Sequence, residues 1–295
     1  AEWERLDYQN KLALLGHSAG ALADALWLQP RRWEDEMMQD LRYGVRMLAK
    51  RPGFTLIAVL SLALGLGANT AIFSLVNTLA LRPLPVQQPE RLVALNNAGG
   101  NQMFSNFSYL NYRDLRDRND VFSDLLGYRI LPLSLSHDGV NERRWGYEVT
   151  GNYFAALGVQ PALGRLLSVE DDRTPGAHPV VVIGHNYWQQ SFGGAPDVVG
   201  RELIVNGSRY TVIGVTPPGF QGTEIAAASE LWFPLAMQAQ LDLGSNLLDK
   251  RGAAILFVQG CLKPGVRTAQ AQAALNLLME QLEREYPDDN AGKRV

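Results

Sequence analysis

From Gly53 through Leu81 the chain runs for 29 residues without an Asp, Glu, Lys, Arg or His. That run constrains everything else, because about 20 apolar residues in a helix cross a hydrocarbon core of about 30 Å. At about 1.5 Å per residue the whole run reaches roughly 43 Å, so a helix over it must tilt or project beyond the bilayer. Composition favours projection: Phe54 to Leu66 is almost wholly apolar, whereas Asn69, Thr70, Asn77 and Thr78 fall in the second half. Pro83 and Pro85 mark the end, since proline lacks the N–H that a continuing helix needs. A cleaved signal is the weaker alternative, because its apolar core of about 7–15 residues sits at the amino terminus, and this run starts only at Gly53. A buried helix of a soluble protein is the other, resting on the dilution by Gly65, Gly67 and the asparagines. The pattern is read as an uncleaved signal anchor.

Charge on the flanks sets the expected orientation. Arg31, Arg32, Arg42, Arg46, Lys50 and Arg51 precede the run, and only Arg82 and Arg91 follow it closely. Positive-inside logic places the amino terminus in the cytoplasm. Just upstream, Met38, Leu41, Val45 and Leu48 recur at intervals of three and four, with Arg42, Arg46 and Lys50 on another face. This is a basic amphipathic helix, broken at Pro52-Gly53, suited to lie along the inner leaflet as an elbow or to pack on protein. Within the apolar run, Ala58, Ser61, Gly65 and Ala68 form a stripe of small residues of the kind that lets helices approach closely.

The expected organisation is a cytoplasmic leader over 1–36, an elbow helix over 37–52, a transmembrane helix over 53–83 and an extracytoplasmic domain over 88–295. That domain reads as α+β. Strand candidates are Arg91 to Leu95, Leu126 to Leu135, Arg144 to Val149, Val180 to Ile183, Glu202 to Val205, Tyr210 to Val215 and Ile255 to Leu262. Asn206-Gly207, between two β-prone runs, predicts a tight hairpin. Helices are expected over Tyr109 to Asp117, Asn152 to Leu157, Asn186 to Phe192 and Thr268 to Glu285, the last capped by Thr268. The final strand and helix resemble the start of a βαβ unit, and a truncated chain is expected because Lys293-Arg294-Val295 stands where the returning strand should begin.

Chemistry is sparse. A net charge of -3 without a dense basic run gives no footprint for nucleic acid. One cysteine, Cys261, and four histidines exclude an intrachain disulfide and argue against a zinc framework. Gly16-His17-Ser18-Ala19-Gly20 matches G-x-S-x-G, but a nucleophile elbow needs a preceding sheet, and the chain has only fifteen residues before Gly16. The remaining histidines, His137, His178 and His185, would also lie across the membrane from Ser18. Glu170-Asp171-Asp172 and Asp288-Asp289 lack the spacing of a calcium loop and read as solvated loop charge. The sole Gly-Lys pair, Gly292-Lys293, is followed by Arg, so the chain holds no P-loop. No catalytic, cofactor-binding or metal-ligating residue is assigned.

The stretch Gln39 to Pro85 (QDLRYGVRMLAKRPGFTLIAVLSLALGLGANTAIFSLVNTLALRPLP) resembles the amino-terminal signature of MacB/FtsX-type ABC transporter permeases, especially the duplicated orphan permeases. The likeness continues through Thr150 to Arg165, Val181 to Gly194, Val198 to Phe220, Leu231 to Leu235 and Leu262 to Pro287, which resemble blocks of a MacB-like periplasmic core domain. The resemblance implies a two-lobed extracytoplasmic core, one βαβ porter-like lobe and one inserted, mostly β lobe. It implies a non-enzymatic permease in the inner membrane, with ATP bound by a separate cytoplasmic ABC ATPase whose motion the permease transmits, for efflux or mechanotransmission. Further partners so implied are membrane lipid, a second permease in a homodimer or pseudo-symmetric assembly, and a periplasmic adaptor. Full family members carry more transmembrane helices than the one found here. From the residues alone, a single-pass anchored binding or scaffold module without energy coupling is the alternative, and an ester hydrolase using Ser18 a distant third.

Overall fold

The computed structural model describes residues 38–76, 86–99, 102–137, 140–224, 229–242 and 244–295. The chain divides into two compact units between Thr78 and Leu79. The G-x-S-x-G segment, Asn77, Thr78 and the two prolines Pro83 and Pro85 lie outside the described residues.

In the first unit, helix α1 covers 38–50 and helix α2 covers Pro52–Val76, with Arg51 the single non-helical residue between them. Pro52 opens α2, a position where its missing N–H would have had no helical partner. The junction is fastened locally. The single proton of the Thr55 hydroxyl is shared between the Leu48 carbonyl at 2.6 Å and the Arg51 carbonyl at 3.1 Å, and the backbone adds Arg51 N to Leu48 O at 3.3 Å and Thr55 N to Arg51 O at 3.0 Å.

The second unit is α+β, as expected. Its strands and helices are β1 Leu92–Leu95, β2 Asn97–Gly99, β3 Gln102–Ser105, α3 Tyr109–Arg118, β4 Phe122–His137, β5 Val140–Val149 and α4 Tyr153–Leu157. There follow β6 Leu163–Gly164, β7 Val180–Ile183, α5 His185–Phe192, β8 Glu202–Val205, β9 Ser208–Val215 and β10 Leu231–Pro234. The last are α6 Gln238–Leu241, β11 Phe257–Leu262, α7 Thr268–Glu285 and α8 Pro287–Asn290. Among the described residues nine strands form one sheet and β2–β3 a separate ribbon.

Strand β4 organises this sheet. Its first half pairs antiparallel with β11, which in turn pairs with the edge strand β1. Its second half pairs with β5 on one side and, at Leu135 and Ser136, with β8 on the other. From β5 the pairing runs to β10, β7, β9 and β8 and so returns to β4. Six strands therefore close a barrel, and β1 and β11 extend the sheet from its side. Closure removes free edges, which an open antiparallel sheet must otherwise protect.

Alternation along the strands sorts side chains into three cores. Leu131, Leu133, Val181, Leu203, Val212 and Phe233 fill the barrel. Gly146 makes room there, since a Cβ on it would stand 2.3 Å from Leu133 Cδ1. On the opposite face Tyr128, Tyr147, Tyr153, Phe154 and Trp232 pack together beneath α4. A third core joins α3 and α7 to β1 and β11 through Leu115, Leu125, Val258, Leu275 and Met279. The hairpin at Asn206-Gly207 forms with φ of 50° and 82°, the left-handed pair that a two-residue turn of this hand requires.

Two expectations need correction. Thr268 is the first residue of α7 and not its cap; Arg267 holds that place, and Gln270 Oε1 reaches back to accept from its N–H at 2.9 Å. Asp171 and Asp172 are structural, not solvated. Asp171 is buried and accepts from Arg165 at 2.6 and 2.8 Å, and Asp172 accepts from Gly151 N at 3.0 Å and Ala236 N at 2.6 Å. The reason is geometric: a short 3-10 turn at Val169–Asp172 brings consecutive carboxylates against backbone donors that the sequence does not announce.

Candidate functional site

The residues singled out for membrane and partner contact all lie in the first unit. Arg42, Arg46 and Lys50 are exposed on α1, as are Met38, Leu41, Val45 and Leu48. On α2, Ala58 is half-buried and Ser61, Gly65 and Ala68 are exposed, recurring at the three- and four-residue spacing of one helix face. A Cβ built on Gly65 meets nothing within 4 Å. Apolar side chains cover the rest of α2: Phe54, Ile57, Leu60, Leu64, Leu66 and Phe73 are all more than half exposed. Thr70 satisfies its hydroxyl within the helix, donating to the Leu66 carbonyl at 2.7 Å, so it adds little polar demand. The segment Pro52–Ser74 is long and apolar enough to cross a membrane, and none of its most apolar window is buried by protein.

Among the described residues no group of three or more His, Cys, Asp or Glu could hold a metal ion. Cys261 Sγ donates to the Ala156 carbonyl at 3.4 Å, and burial pushes its thiol up, away from the reactive thiolate. A cleft of about 390 Å³ between α3 and the 3-10 turn is lined by Tyr109, Tyr112, Arg116, Thr150 and Asp172. Burial raises the Asp172 carboxyl to about 6, against the lowering effect of its backbone donors at Ala236 and Gly151. Burial alone would raise Asp171 as well, but Arg165 and Ser168 hold it at about 2. Asp172 lines the cleft and is tied to the backbone of two other loops, so its part there is structural.

Sequence reasoning missed Glu148. It is fully buried on β5, its carboxylate facing Arg129 across the register with β4. Arg129 Nε stands 2.8 Å from Glu148 Oε2, while its Nη2 reaches Asp242 Oδ2 at 3.0 Å. Burial raises the Glu148 carboxyl to about 8, more than the Arg129 charge lowers it. Strand alternation groups Glu148 with Arg144, opposite the apolar Trp145, Tyr147 and Val149, so the local pattern reads as surface charge and carried no signal of its burial.

Comparison with known proteins places this geometry. Residues 55–278 match the family model of the MacB-like periplasmic core domain. A probable syringafactin export ATP-binding/permease protein, SyfD of Pseudomonas syringae pv. tomato, is 31% identical over 127 residues, which are 43% of this chain and 17% of that protein. The match therefore spans a small part of that relative's length. The periplasmic region of MacB from Actinobacillus actinomycetemcomitans superposes with a TM-score of 0.50 at 15% identity, covering 70% of this chain and 87% of that one. The extracellular domain of the noncanonic ABC-type transporter YknZ from Gram-positive bacteria gives 0.51 at 13%, covering 69% and 98%. A domain of a putative permease protein from Porphyromonas gingivalis gives 0.53 at 14%, covering 72% and 90%. At these identities the structures establish the fold, and the family match establishes membership. With its match running from the apolar helix α2 through the barrel and into α7, the chain belongs to the MacB-like periplasmic core domain family.

Proposed function

We propose that this chain is the membrane-anchored, extracytoplasmic-domain portion of a MacB/FtsX-type ABC transporter permease. In this reading α2 crosses the inner membrane, α1 lies on the cytoplasmic side, and the domain from residue 88 onward faces the periplasm or cell exterior. The observation that carries it is a single family match that begins at residue 55, inside a helix apolar on every face, and continues to residue 278 in the folded domain. Homology to an export ATP-binding/permease protein supports an ATPase as partner. The chain itself is read as non-enzymatic, its part being to link ATPase motion in the cytoplasm to the extracytoplasmic domain through α2. Arg42, Arg46 and Lys50 would meet anionic headgroups or the ATPase, and Ala58, Ser61, Gly65 and Ala68 would pack on another transmembrane helix. A second permease subunit, paired as a homodimer or pseudo-symmetrically, and a periplasmic adaptor complete the proposed assembly.

Cysteine labelling in intact cells tests the orientation. In a Cys261→Ser background, Arg209→Cys, on an exposed position of β9, should react with an impermeant thiol reagent, and Gln9→Cys should not. The reverse pattern would overturn the topology.

A further inference from the structure

Glu148 is a carboxylate enclosed in an apolar barrel, and its neighbours leave it short of partners. It shares its face of β5 with Gly146, beside Leu133 and Phe233. Neither of its oxygens receives an aligned hydrogen bond, and the buried Tyr210 hydroxyl nearby is equally unpaired. The groups that act on it from each surrounding element are Arg129 on β4, Asp242 after α6, Asp172 on the 3-10 turn and Tyr210 on β9. One guanidinium thus answers two carboxylates, with a third acting from further off. A proton is the charge this cluster lacks.

The cluster also holds a particular segment. Residues 235–242 carry the chain from β10 at the barrel back towards β11. They insert Met237 and Leu241 into the barrel core. Asp172 accepts from Ala236 N at 2.6 Å, Gly176 N donates to the Ala236 carbonyl at 2.9 Å, Asn206 Nδ2 donates to the Leu241 carbonyl at 2.7 Å, and Arg129 pairs with Asp242. Arg129 therefore joins the buried carboxylate to the end of the return segment.

We infer that residues 235–242 form a proton-tightened clasp, closed over the barrel while Glu148 carries a proton and loosened when that proton leaves. Ionised, Glu148 is an unsolvated charge competing with Asp242 for Arg129; opening the clasp admits water to it. The sign follows from linkage. The closed-state carboxyl titrates near 8, against 4.5 for a solvated one, so closure is fully favoured below the lower value and is lost as pH rises through the higher. This device is independent of which side of the membrane the domain occupies.

Hydrogen exchange on the full chain in detergent tests it. Between about pH 6.5 and about pH 7.5, above the titration of Asp172, opening of peptides covering 235–242 should increase about tenfold beyond the intrinsic rise in exchange. Peptides from β9 serve as the reference, and Glu148→Gln, which copies the protonated form, should abolish the step. An infrared band of a protonated carboxyl at neutral pH, lost on alkalinisation and absent from Glu148→Gln, provides a second readout on the wild type. Exchange independent of pH in the wild type, a step retained in Glu148→Gln, or absence of that band would each overturn the clasp.

Discussion

Helices α2 and α7 are the two longest among the described residues, and they solve opposite problems. In α7, Ala271, Leu275, Met279 and Leu282 are buried along one stripe, while the far side exposes Leu277 and charged residues. In α2 no buried stripe exists: apolar side chains face outward all round, Leu64 at 76% exposure. A helix in water must hide an apolar face against protein; one that is apolar everywhere and covered by no protein is matched to hydrocarbon. The contrast teaches that burial within the chain defines the core of the second unit, whereas the exposed apolar surface of α2 is suited to surroundings other than water.

The sharpest way to break this contrast is to remove a large side chain from each region. Trp232 is fully buried, with its ring against Tyr147, Phe154 and Phe220. Trp232→Ala should cost about 3–5 kcal/mol of domain stability, as transfer and cavity losses add. Leu64→Ala should leave domain unfolding unchanged and weaken membrane insertion by only about 0.5 kcal/mol. Urea denaturation of the detergent-solubilised chain, followed by tryptophan fluorescence, measures the first, and the membrane-extracted fraction the second. Equal loss of domain stability in the two variants would show that α2 belongs to the folded core.

Much of the second unit was legible from its sequence, and the exceptions share a cause. The bounds of β7, β8 and α7 follow from β-branched runs and from heptad-like spacing, both local signals. Strand β10, Leu-Trp-Phe-Pro, is buried at every position and ends in proline, so it shows neither alternation nor a strand-like boundary. Barrel closure rests on Leu135 meeting Val205, a pairing between distant segments that no local period encodes. The same holds for the charge cluster. Glu148 stands among Glu142, Arg143 and Arg144, and only the register opposite Arg129 separates it from surface charge. For α1 and α2 the positions were plain from the residues themselves, because an amphipathic repeat and an unbroken apolar run are local signals that need no distant partner.

Glycine distinguishes the two regions on a smaller scale. A Cβ on Gly214 would stand 2.0 Å from the Arg165 carbonyl oxygen, just past the point where β6 pairs with β9, so Gly214→Ala should cost about 1–3 kcal/mol through backbone displacement. A Cβ on Gly65 has nothing within 4 Å, so Gly65→Leu starts into open space. It should leave domain stability unchanged and lower the yield of assembled full-length transporter, read by size-exclusion chromatography, more than a substitution at Leu64 does. Equal tolerance at Gly65 and Leu64 would remove the case for a packing face there.

The last expected effect concerns α1, where charge replaces burial altogether. Arg42, Arg46 and Lys50 are exposed on a helix whose apolar residues are exposed too, so the residues themselves offer an amphipathic surface without a protein floor. Anionic headgroups stabilise each nearby Lys or Arg by about 1 kcal/mol, so Arg46→Ala should reduce vesicle binding of a peptide covering 37–51 about fivefold. The loss should shrink as salt rises, because screening shortens the reach of the headgroup field. Arg209 gives the comparison: it is equally basic and well exposed, but it pairs with Glu202 at 3.0 Å on a β hairpin with no amphipathic helix beneath it, and Arg209→Ala should leave the chain's vesicle binding unchanged. If the 37–51 peptide ignores anionic vesicles while the triple substitution of Arg42, Arg46 and Lys50 by Ala still abolishes ATPase association in the full-length transporter, the helix docks on protein, and its exposed face then belongs with the stripe of α7 and not with the all-round apolar surface of α2.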